Sequence, residues 1–127
     1  MSFLPPREAE YLKNKGYTYV EAEQGGQKGL VIQGMTLPQG RYSASSVDVL
    51  ILLPPGFPDV GPDMFYTLPW VQLVPEGKYP KAADQPYDFN GQRWQRWSRH
   101  SNEWRPGRDG IQTVMKRVAH SFEVAQP

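Results

Sequence analysis

Eleven residues constrain this fold more than any others. Leu53-Pro54-Pro55-Gly56-Phe57-Pro58-Asp59-Val60-Gly61-Pro62-Asp63 holds four prolines. Each proline fixes φ and removes an amide donor, so the segment is neither helix nor central strand. It is a rigid, semi-extended connector. The residues before it read as a strand, with Val47, Val49, Ile51 and Leu53 recurring at period two. The opposite face carries Ser46, Asp48, Leu50 and Leu52, so this strand starts half polar and ends buried on both faces. Beyond the connector, Met64-Phe65-Tyr66-Thr67-Leu68 resumes strand character before Pro69.

The flanks supply the rest of an α+β outline. Pro5 and Pro6 can open a helix over Arg7 to Lys15, with Gly16 as a left-handed stop. Tyr17 to Ala22 is rich in aromatic and β-branched residues and predicts a strand, and Lys28 to Gly34 is its return across the Gln24-Gly25-Gly26-Gln27 turn. A further turn lies at Leu37-Pro38-Gln39-Gly40. From Val74 to Gly91, three prolines, two glycines and weak periodicity predict a long loop, a feature that is usually functional or disordered. Asp109 is placed to cap a last helix, with Gln112 completing a capping box. Ile111, Val114, Met115, Val118 and Phe122 then fall on one helical face, with Arg117 and His120 off it. The expectation is a single domain over 1–127. Its antiparallel sheet of about four strands lies between an N-terminal helix and a helix from about Gly110 to Glu123.

Composition limits the chemistry. The chain has no cysteine, which excludes disulfides, thiolate metal sites and a cysteine nucleophile. His100 and His120 are the two histidines, and no ligand spacing around them suggests a metal. A net charge of +1 gives no general pull toward nucleic acid or anionic membrane. No apolar run approaches the ~20 residues that span a bilayer, and the N-terminal residues lack the apolar core of a secretory signal. The expectation is a soluble cytoplasmic protein without a cofactor.

The chemistry concentrates in Trp94-Gln95-Arg96-Trp97-Ser98-Arg99-His100-Ser101-Asn102-Glu103-Trp104-Arg105-Pro106-Gly107, which holds three of the four tryptophans and three arginines. Ser98 and His100 are the best candidates for a working pair. In extended backbone, residues two apart share a face, whereas in a helix they diverge. Serine needs a base to take its proton, and a histidine in that role needs an orienter, for which Asp84, Asp88 and Glu103 are available. Ser101 is the runner-up nucleophile and Asn102 a polar supporter. The bland alternative makes His100 a structural donor to a backbone carbonyl. The tryptophans read first as packing, with Trp104 expected mostly buried under the last helix near Met115 or Val118. Arg93, Arg96, Arg99, Arg105 and Arg108 read either as a platform for single-stranded nucleic acid or as a solvated face ion-paired to Asp84, Asp88, Glu103 and Asp109. The near-zero net charge favours the second.

Several of these stretches resemble a known superfamily. Pro54-Pro55-Gly56-Phe57-Pro58 and Pro62-Asp63-Met64-Phe65-Tyr66-Thr67 are similar to the connector between the third and fourth strands of ubiquitin-conjugating enzymes. Trp104-Arg105-Pro106-Gly107 resembles the Trp-Ser-Pro before their crossing helix. Leu53 to Pro58, Met64 to Tyr66 and Trp97-Ser98-Arg99-His100 resemble more closely the bacterial "family E" branch, over residues 45 to 122. The superfamily's catalytic cysteine falls in the interval Trp94 to Asn102, and here it is absent. Its His-Pro-Asn is reduced to the proline of Leu68-Pro69-Trp70.

The resemblance implies a UBC-like fold and an operon partner of a ubiquitin-like protein and an activating enzyme. Two functions follow from it. One is a conjugating enzyme that carries the ubiquitin-like protein as an oxyester on Ser98, with His100 as base. The alternative is a catalytically inactive UBC-like scaffold that binds the ubiquitin-like protein or its activating enzyme.

Overall fold

Alternating and β-branched stretches in the first half of the chain pair in sequence order, and the connector then sends the chain across to start the second half of the sheet. A computed structural model describes residues 2–100 and 103–127. Helix α1 (Pro6–Asn14) precedes β1 (Thr18–Gln24), β2 (Gln27–Thr36), β3 (Ser46–Leu53), β4 (Phe65–Leu68), β5 (Gln85–Phe89) and β6 (Gln92–Trp97), and α2 (Ile111–Val124) closes the order. The six strands form one antiparallel sheet in the order β1-β2-β3-β4-β6-β5. The α+β class and the two flanking helices agree with the sequence reading, while the sheet has six strands rather than four.

The two extra strands lie where a loop was expected. Residues 85–89 fall within the loop expected from Val74 to Gly91, yet with 92–97 they form the β5–β6 hairpin. Their pattern hides for a physical reason: β6 is buried on both faces, and one buried position is Gln95. Trp97 belongs to the core between sheet and helices, and Trp94 to a second cluster with Leu50, Tyr66 and Phe89. Two tryptophans three apart on opposite faces give no period-two signal. Pro86 is tolerated because β5 is an edge strand.

Helix α2 buries the expected stripe of Ile111, Val114, Met115, Val118 and Phe122. Its N-cap is Gly110 rather than Asp109. Glu8, itself buried, accepts the Ile111 amide at 3.4 Å, and a Cβ on Gly110 would lie 2.2 Å from its Oε1. Asp109 instead accepts from the Arg105 amide at 2.8 Å and the Thr113 hydroxyl at 3.0 Å. The Arg105 amide above all holds the Asp109 carboxyl below its ordinary pKa. Gln112 bonds the Arg108 carbonyl, so the expected box is displaced. At the other end, the Arg41 guanidinium donates to the carbonyls of Phe122 and Ala125, and the Tyr42 hydroxyl to Phe122.

Trp104 is half-buried rather than mostly buried. Its ring lies against Phe57 and Gly61, its indole N–H donates to the Pro58 carbonyl at 3.0 Å, and Arg117 of α2 covers its face at 5.6 Å. It therefore clamps the proline-rich connector and meets α2 through Arg117. Among the described residues no helix is long and apolar enough to cross a membrane.

Candidate active site

The pairing of β4 with β6 brings the candidate residues together. Phe65 pairs with Trp97 at the end of the ladder, and the rings stack at 5.3 Å. Two residues beyond this last pair, the same antiparallel register carried past the ladder sets Asp63, the last residue of the connector, level with Arg99, between Ser98 and His100. Trp97 anchors this end: it is fully buried, meets Phe122 edge-on at 5.2 Å, and donates its N–H to the Thr67 hydroxyl at 2.9 Å.

Ser98 Oγ lies 2.9 Å from His100 Nε2, and His100 Nδ1 lies 2.8 Å from Asp63 Oδ1. An ionised carboxylate only accepts, so Nδ1 carries the hydrogen and donates to Asp63. That leaves the lone pair on Nε2 to accept the Ser98 hydroxyl. The three side chains form a hydroxyl–imidazole–carboxylate relay, an arrangement recognised by geometry and roles rather than by sequence order.

The backbone beneath the relay is pinned on its other side. The Ser98 amide donates to the Ala82 carbonyl at 3.0 Å, and the Arg99 guanidinium donates to the carbonyls of Lys81 and Ser98. Arg99 also covers the Trp97 ring at 5.2 Å, and burial lowers its pKa. Ala82 takes φ of +57°, a left-handed conformation uncommon outside glycine. Beneath this turn, Gln95 donates to the carbonyls of Val71 and Ala83 and accepts from the Val71 amide and the Thr67 hydroxyl. Asp63, Arg99 and His100 also line a cleft of about 210 Å³. Pro62, Met64, Phe65, Val114 and Val118 give it apolar walls, and Arg117, His120 and Ser121 line it from α2.

Of the residues singled out in the sequence, Ser98 and His100 are in contact. Ser101 and Asn102 lie outside the described residues. Asp88 is not beside His100. It ion-pairs with Arg93 at 3.1 Å, its partner in the β5–β6 ladder. Asp84 is exposed just ahead of β5. The Glu103 carbonyl accepts from Arg117. The carboxylate on His100 is Asp63, 37 residues away in sequence, which the reading of the residues passed over. The arginines divide as the solvated-face reading expected in two cases, Arg93 with Asp88 and Arg105 with Asp109.

Comparison with curated proteins and with solved structures gives no match. A family model described as prokaryotic E2 family E matches residues 4–125. With that match over nearly the whole chain, and a UBC-like arrangement of sheet and flanking helices, the protein belongs to prokaryotic E2 family E, and it does so without a cysteine.

Proposed function

We propose that the protein accepts a ubiquitin-like protein from its activating enzyme as an oxyester on Ser98. The observation that carries this reading is the relay from Ser98 through His100 to Asp63. In the transfer, Ser98 Oγ attacks the thioester carbonyl at the C-terminal glycine of the ubiquitin-like protein as Nε2 takes the hydroxyl proton. The C–S bond breaks, and the imidazolium returns the proton to the leaving thiolate. Asp63 holds the imidazole in the required tautomer and stabilises its charged form. One thioester and one hydroxyl become one oxyester and one thiol, with no net proton change. Membership in the family supports the choice of partners.

Mass spectrometry of the protein with ATP, the activating enzyme and the ubiquitin-like protein tests this. A base-labile adduct on Ser98 that is lost in Ser98→Ala, with the fold retained, is the expected result. His100→Gln should slow adduct formation by roughly 10²–10⁴-fold. A stable complex with no covalent adduct, and no loss of the activated ubiquitin-like protein to hydrolysis, would instead establish the scaffold alternative.

A further inference from the structure

Resting on that reading of Ser98, we infer that the protein is also an acyl-ester hydrolase that returns the acyl group to water. A thiol carrier holds its acyl group because nothing beside it activates water. Here the base that removes the serine proton stays beside the acylated oxygen after the leaving group departs, with the lone pair on Nε2 free again. The same nitrogen then serves any acceptor that reaches it, since a general base acts in both directions across the intermediate.

The acceptor that reaches it most readily is water. His100 and Asp63 have side chains 57% and 61% exposed. A lysine acceptor arrives protonated near neutral pH and must first lose that proton, whereas water needs only the lone pair on Nε2. In deacylation, water attacks the ester carbonyl as Nε2 takes a water proton. The bond from carbonyl carbon to Ser98 Oγ breaks, and His100 returns the proton to Oγ. Ester and water give carboxylic acid and free serine.

The neighbouring cleft, lined by His100 and Asp63 of the relay though not by Ser98 itself, sets the substrate class. At about 210 Å³ it is smaller than the ~300–1,000 Å³ typical of pockets for drug-sized ligands, so it seats one short apolar group. Arg117 at its wall favours a leaving group or acid that carries negative charge. The substrates are therefore activated esters and thioesters with a small acyl or aryl part, in addition to the glycyl thioester of a protein.

Excess p-nitrophenyl acetate with the full chain tests the inference in the absence of any partner protein. Nitrophenolate release should run to many equivalents per protein, with a transient acetyl group on Ser98 by mass spectrometry. Ser98→Ala should reduce release to the rate of buffer. His100→Gln should lower the steady rate by roughly 10²–10⁴-fold, with unchanged thermal melting. Release that stops at one equivalent, with acetyl retained on Ser98, would overturn the hydrolase and leave the carrier function standing. A wild-type rate equal to that of Ser98→Ala would also overturn it, and the protein-adduct experiment then judges the carrier separately.

Discussion

Gln95 has every hydrogen bond its amide can make within the residues it touches, and none of them goes to solvent. It ties β6 to the 71–83 segment, whose Ala82 carbonyl in turn receives the Ser98 amide. A leucine there would keep the volume but leave the Val71 amide and the Ala83 carbonyl buried without a partner. Each such group costs about 1–3 kcal/mol. Gln95→Leu should therefore lower the melting temperature clearly, measured by circular dichroism, and reduce acylation at Ser98 through misplacement. An unchanged melting point would remove Gln95 from this role. Ser98 and His100 were legible because a two-residue spacing in extended chain needs only local geometry. Asp63 was not, because its place beside them depends on which strands are neighbours, and no residue near 63 announces that β4 pairs with β6.

Among the elements, α2 was the most legible and β6 the least, for opposite reasons. The buried face of α2 is entirely apolar, so its spacing shows in the sequence. The β6 strand puts a glutamine inside and splits its tryptophans between two faces, so its burial shows only in three dimensions. The cap of α2 was misplaced by one residue because its anion comes from α1 rather than from the adjacent chain. Glu8→Ala should cost about 0.5–2 kcal/mol, the usual range for a lost N-cap acceptor. Gly110→Ala should cost at least as much, since its methyl displaces the same carboxylate. Denaturant unfolding of the double variant should give less than the summed loss, because both changes break one contact. Simple additivity would show that Glu8 and Gly110 act independently.

Across the whole molecule, the proline-rich connector did what its composition required and joined β3 to β4 without regular structure of its own. It also positions Asp63, so one rigid segment serves topology and chemistry together. The two ends of α2 impose a consequence of another kind, on the order of events in time. The helix has no acidic residue in its first turn and no basic one in its last. Beyond Asp109, just ahead of its N-cap, the charges that complement it are distant: Glu8, 103 residues away from Ile111, and Arg41, 81 residues away from Phe122. A helix of 14 residues is marginal by itself in water. It therefore persists only once the early part of the chain is already arranged to receive it. Contacts of such separation close large loops, and folding that waits for them is slower than folding through local contacts. In stopped-flow refolding, the helical signal and the burial of Trp97 should rise with one rate. A helical signal that arrives first would mean that α2 does not wait for its distant partners.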